Sequence, residues 1–226
     1  ETSFGLGFSG NEMIGKFVAG NDFNYVQAHA TSIAASGKYN ISSCSSEVIA
    51  SGRVQMKNYQ AVDLINGLER HDGYTHAFFK SFTPALQNRI RQYASQGGRI
   101  LISGSYTGSD MQTEEEQAFL SDILKLSYEP TGSTVITRDI NPEDSTVTER
   151  ESIVYTSPNV TGLGLQFSYY NELNAKHYAA THPEILKPVG NYAFTAMQYD
   201  TGTSAAVAYK STTYRSFVMG FPLECI

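Results

Sequence analysis

The sequence predicts a three-layer α/β sandwich with a mainly parallel central sheet and a β-rich C-terminal part. Three observations carry that expectation. The first half alternates short apolar runs with amphipathic segments, the pattern of strand–helix–strand units. Two of its helical segments are closed by glycine, at Gly37 and at Gly97-Gly98, where a chain leaves a helix through a left-handed turn. The second half consists instead of short strand-like runs around polar turns.

Lys16–Gly20 (KFVAG) reads as a short buried strand ending at Asn21-Asp22. Asp22 is a suitable N-cap for a helix through Ser36, with Phe23, Val26, Ala30, Ile33 and Ala34 at helical spacing. Tyr39–Ser43 is a second strand candidate, and Ser45–Ser51 a short helix. Ala61–Gly67 (AVDLING) is a buried strand leading into the polar loop Glu69–Gly73. Pro84 opens a helix through about Gln96, since proline has no N–H to lose at the first helical turn. Arg99–Ser103 (RILIS) is a strong strand, and Gly104–Asp110 (GSYTGSD) the loop after it. Thr113–Leu126 is an amphipathic helix whose first turn, Glu114–Glu116, carries the negative charge that a helix dipole favours there.

Beyond this point the pattern changes. Ser133–Arg138 and Ser152–Tyr155 read as strands around a polar loop, Asn141–Glu149. Leu165–Tyr170, Ala193–Tyr199, Ala205–Tyr209 and Phe217–Met219 are further strand candidates. Asp200-Thr201-Gly202-Thr203 is a hairpin turn between two of them. With no repeat, low-complexity tract or linker, residues 1–226 read as one domain, excised from a larger protein.

Composition narrows the function. Hydrophobic residues make up 41% and charged residues 17% of 226, enough for a packed core. The net charge of −6, with no Lys/Arg run, argues against a nucleic-acid partner. No apolar stretch approaches the ~20 residues of a membrane span, and the opening ETSFGLGFSG lacks the pattern of a signal peptide. Cys44 and Cys225 form no metal-binding spacing; they read as free thiols, with a mutual disulfide as the alternative. No metal and no cofactor is expected.

The run Leu86–Gly104 (LQNRIRQYASQGGRILISG) and the closing stretch Ala205–Ile226 resemble elements of the class I glutamine-amidotransferase-like, flavodoxin-like superfamily. Together with VAGNDFNYVQAHA and YQAVDLINGLER, the order of motifs resembles a domain of secreted Bacteroidetes proteins labelled xanthan lyases. The resemblance implies a secreted, periplasmic or cell-surface location. It also implies a polysaccharide partner and neighbouring domains of a parent protein.

Departures from that family are specific. Glutaminase chemistry needs a cysteine activated in a tight strand-to-helix turn, and this chain has Ser103-Gly104-Ser105-Tyr106 at that place. Pro222 and Leu223 stand where a histidine motif would precede Glu224. His182-Pro183-Glu184 copies the family triplet, but lies upstream of the closing hairpin. The expected function is therefore a non-catalytic accessory or binding domain of an exported polysaccharide-processing protein, with a degenerate glutaminase site. The alternative is an active xanthan-type lyase or a serine hydrolase, the latter with His71, His76, His177 or His182 as its base. Ser103, Ser105, Glu224 and His182 are its candidate catalytic residues, although Gly104–Gly108 is not a G-x-S-x-G elbow. A lyase base would come from Tyr or His, with Tyr106, Tyr169, Tyr170, His177 and Arg215 of suitable chemical type. Because ligands bind at strand C-terminal ends in such folds, Asn21, Asp22, Glu69 and Tyr106 form the candidate ligand-binding rim.

Overall fold

In a computed structural model, the protein is described over residues 25–70, 80–129, 136–140, 143, 145, 147–151, 154–156, 164–170, 178, 180 and 182–226. The strand expected at Lys16–Gly20 and the residues Asn21, Asp22, His71, His76 and His177 lie outside these.

Helix α1, Tyr25–Ala34, buries His29 alone. Its inward stripe is Tyr25, His29 and Ile33, four residues apart, whereas Val26 and Ala34 face outward. Tyr39–Ser43 forms no strand. It is exposed throughout, and a strand without a covered face has nothing to hold it in a sheet. The short helix α2, Ser46–Ala50, leads to strand β1, Val62–Gly67. Helix α3, Pro84–Ser95, starts where Thr83 accepts a hydrogen bond from the Leu86 amide, with Pro84 in the first turn. It ends at Gly97, whose φ of +88° lies in the region glycine tolerates best.

Strand β2, Arg99–Gly104, follows. The next helix, α4, is shorter than the periodicity suggests. It covers Glu114–Phe119 behind a Thr113/Glu116 capping box, passes into a π-turn at Leu120–Leu124, and stops at Lys125 in a left-handed conformation, φ +60°. Strand β3, Leu126–Tyr128, begins at once. Strands β4, Ile136–Ile140, and β5, Val147–Glu151, pair as an antiparallel ribbon, so part of the expected Asn141–Glu149 loop is strand. Then come β6, Val154–Thr156, β7, Gln166–Phe167, and β8, Leu186–Pro188, which pairs with β3. The closing strands are β9, Ala193–Tyr199, β10, Ser204–Lys210, and β11, Arg215–Met219. A 3-10 turn at Leu223–Cys225 ends the chain's regular structure.

The main sheet has the order β1-β2-β11-β10-β9-β6-β7. Only β1–β2 and β2–β11 are parallel; the other four pairings are antiparallel. The expected mainly parallel, flavodoxin-like sheet is thereby corrected to a mixed one. The reason is local: a parallel neighbour needs a crossover of a dozen residues or more, and only the β1–β2 connection carries helix α3. Asp200–Thr203 and Ser211–Tyr214 instead turn the chain straight back, with Gly202 at φ +85° in the first of these turns.

Side chains alternate across the sheet. One face sends Leu64, Ile100, Ile102, Val207 and Val218 against Leu86, Ile90, Phe119, Leu120 and Leu124 of the helices. The other sends Ala196, Ala206, Ala208 and Met219 against Tyr169, Tyr178, Phe221 and Cys225. That second side is covered by aromatic rings and the C-terminal turn, with Tyr169 stacked on Phe221 at 5.1 Å. Among the described residues α1 is its only helix, and it buries one side chain, so these residues form no full third helical layer. Cys44 is exposed and Cys225 buried, both free.

Candidate functional site

The carboxyl ends of β1 and β2 carry a polar rim tied together by Ser81. Its hydroxyl reaches the carbonyls of Glu69 (2.9 Å) and Tyr106 (3.2 Å), while its amide donates to Asp110 (2.9 Å). This stitching brings Arg70 over the Tyr106 ring, guanidinium carbon 4.6 Å from the centroid. The His182 ring packs on Tyr106 at 5.2 Å. Arg70 and His182 are exposed and Tyr106 is buried between them. Burial, with Arg70 beside it, keeps the His182 imidazole below its usual pKa, hence neutral at pH 7. Burial, with the charges of Glu47 and Asp110, pushes the Glu69 carboxyl up to about 7.

Glu184, two residues after His182, is buried and holds the loop after β2. Its carboxylate accepts the amides of Gly108 (2.6 Å) and Ser109 (2.9 Å). Burial raises it to about 7 in spite of those hydrogen bonds. The His182-Pro183-Glu184 triplet is thus split between two jobs: a ring contact on Tyr106 and a latch on the 108–109 backbone.

Glu224 belongs to a third group, on the α1 side of β1. His29 bridges two carboxylates, Nδ1 to Asp63 at 2.7 Å and Nε2 to Glu224 at 3.0 Å, and Tyr178 donates to the other Glu224 oxygen at 2.5 Å. Burial would pull the imidazole down, but the hydrogen bonds and charges of Asp63 and Glu224 outweigh it and raise His29 to about 9. Burial and the Glu224 carboxylate push the Tyr178 phenol well up, so it stays a donor. His29 therefore carries a proton on each nitrogen, and neither is free to accept one from a nucleophile.

Ser103 and Ser105 are fully buried, and their hydroxyls find no partner among the described residues. Among the described residues no hydrogen bond joins either to His182, and a hydroxyl without a base stays a poor nucleophile. Of the predicted site residues, the fold brings Glu69, Tyr106 and His182 to one rim, while Glu224 sits with His29. Arg70 lies in the polar loop already expected at this rim, whereas sequence reasoning missed Asp63, Tyr178 and His29. The last left a trace, standing midway between Tyr25 and Ile33 at four-residue spacing. Among the described residues, no set of three His, Cys, Asp or Glu side chains could hold a metal ion. Likewise, no described helix is long and apolar enough to cross a membrane.

At the opposite, amino end of β2 and β11 lies a cavity of about 590 Å³ lined by Gly97, Arg99, Tyr192, Lys210, Ser211, Thr212, Thr213, Tyr214 and Arg215. A smaller one of about 290 Å³ shares Gly97 and Arg99 with it and adds Lys57 and Tyr59.

No family model matches the chain, and no curated protein sequence matches it. Among solved structures, it is similar to a β-galactosidase from the Antarctic haloarchaeon Halorubrum lacusprofundi, at 18% identity and TM-score 0.41 over 76% of this chain and 21% of that one. It is also similar to a β-galactosidase from Bacillus circulans sp. alkalophilus, at 11% identity and TM-score 0.38 over 62% and 18%. A third is the exo-β-1,4-mannosidase Op5Man5 from Opitutaceae bacterium strain TAV5, at 10% identity and TM-score 0.37 over 63% and 20%. The chain thus spans about a fifth of each of these proteins. The glutamine-amidotransferase-like assignment is overturned, and with it the degenerate-glutaminase and xanthan-lyase readings that rested on it: the sheet is mixed, with four of its six pairings antiparallel.

Proposed function

We propose that the chain serves carbohydrate processing by holding a neutral sugar at the rim formed by Glu69, Arg70, Tyr106 and His182. The observation that carries this is the contact of Arg70 and His182, both exposed, with the Tyr106 ring, on the rim that also carries Glu69, whose carboxyl burial pushes up to about 7. A sugar ring presents C–H faces and hydroxyl edges. Planar side chains cover the former, and groups that both donate and accept hydrogen bonds suit the latter. Glu69 in its acid form donates, in its ionised form only accepts, and neutral His182 does both.

Nuclear magnetic resonance titration with methyl β-galactoside and β-1,4-mannobiose tests the reading. Shifts should map to residues 69–70, 105–106 and 182, and the exposed-residue variants Arg70→Ala and His182→Ala should weaken binding about tenfold, the loss of one good polar contact each. Binding should fall as pH rises through about 7, where Glu69 loses its proton, and Glu69→Gln should flatten that dependence. Shifts confined to other surfaces, or none with either sugar, would remove the basis of the proposal.

A further inference from the structure

The amino-end cavities hold a feature the rim does not need. Lys210 and Arg215 are directly opposed across the β10–β11 ladder, and Arg215 is in register with Arg99 across β11–β2. Three cations therefore stand side by side on three adjacent strands, spread over ~10 Å at a strand spacing of ~4.8 Å. All three are exposed. Like charges directly opposed in a sheet are destabilising, and among the described residues none of the three has a carboxylate partner. The lining of the two cavities adds Lys57 and contains no Asp or Glu, although the chain as a whole carries a net charge of −6.

The surroundings are built. Ser211 ties the β10–β11 turn, bonding the Thr213 hydroxyl at 2.8 Å and accepting the Thr213 and Tyr214 amides at 3.1 and 3.3 Å. Tyr214 is pinned below by its hydroxyl on the Ile123 carbonyl at 2.8 Å. Tyr192 is 71% exposed and adopts φ +66°, a left-handed conformation that costs a bulky residue energy. Its carbonyl is held by the Lys210 amide at 3.1 Å, so the strained backbone sets an aromatic ring at the cavity mouth. Tyr59, also exposed, stands at the smaller cavity.

We propose that this groove binds an acidic glycan, its carboxylate or sulfate groups lying along Lys210, Arg215 and Arg99 and its sugar faces against Tyr192. The row of charges fits an anion repeated along a chain, and the two tyrosines with the Ser211–Thr213 hydroxyls fit sugar rather than a bare ion. The net negative charge of the rest of the surface disfavours a nucleic acid, whose phosphates would be repelled on either side of so short a basic strip.

The test is calorimetric titration of the whole chain at low salt with four probes: tetragalacturonate, a sulfated galactan oligomer, inorganic sulfate and a short single-stranded oligonucleotide. One or both acidic oligosaccharides should bind, and which one identifies the anion. Affinity should weaken steeply with added salt, as screening of several charges requires. The double variant Arg99→Gln/Arg215→Gln should lose at least tenfold, and Tyr192→Ala severalfold. The double variant should also unfold at a temperature no lower than the parent's, because relief of repulsion replaces no native contact. Equal or tighter binding of sulfate or oligonucleotide, no binding of either acidic oligosaccharide, or full affinity in the double variant would each overturn the proposal, and none of these results bears on the neutral-sugar rim.

Discussion

His29 shows how one side chain can link distant parts of a chain. Its ring joins α1 to Asp63 in β1 and to Glu224 in the C-terminal turn. An imidazolium between two carboxylates is stable when buried only while all three are present. The His29 pKa is raised to about 9 from an unfolded value near 6.5. Its stabilisation is therefore complete below pH 6.5 and lost as pH rises through about 9. We expect His29→Ala to cost about 3–5 kcal/mol at pH 6 and much less at pH 10, read by urea denaturation at both values. An equal loss at both pH values would show that the ring acts by packing alone. Glu224 was legible in the sequence as a terminal carboxylate, but its partners were not. Asp63 and His29 sit 34 residues apart and Glu224 a further 161 along the chain, and no local pattern connects them.

At the scale of elements, local chemistry was readable wherever a side chain meets its own backbone. Pro84, Thr83 and Gly97 bound α3 as proline, cap and glycine rules require. The Thr113/Glu116 capping box starts α4, with Glu116 also paired to Lys80. Thr113→Ala should destabilise the chain by about 1 kcal/mol, seen as a lowered urea midpoint with unchanged slope. An unaffected midpoint would mean that Lys80 holds the Glu116 turn by itself. Where an element ends by tertiary demand, the sequence was silent. Phe119, Leu120, Ile123 and Leu124 follow a helical stripe, yet the chain unwinds there through a π-turn because Leu126 enters strand β3 opposite Pro188 of β8. The rim is of the same kind: Glu69, Arg70, Tyr106 and His182 were each visible, but the contacts of Arg70 and His182 with the Tyr106 ring needed the fold.

Across the whole molecule, stability rests on two apolar clusters separated by the sheet. Phe221 is fully buried in the one that lacks a full helical cover, touching Tyr169, Tyr199 and Phe167. Phe221→Ala should cost about 3–5 kcal/mol, measured by thermal unfolding. Hydrogen exchange should then accelerate in β9 and β10 more than in α3, which packs on the opposite face. Uniform acceleration would instead mark the two clusters as one cooperative unit.

The sequence by itself determined the strands β1, β2, β9, β10 and β11, the helix α3, the hairpin at Asp200–Thr203 and the net charge of −6, because periodicity, caps and turn residues act over a few positions. Tertiary structure decided the order and direction of strands, the pairing of β3 with β8, the Arg70–Tyr106–His182 stack and the Lys210–Arg215–Arg99 row. Those features depend on which strand lies beside which. β11 lies between β2 and β10 because the face carrying Val218 completes one apolar cluster and the face carrying Met219 the other, a balance that no single segment contains.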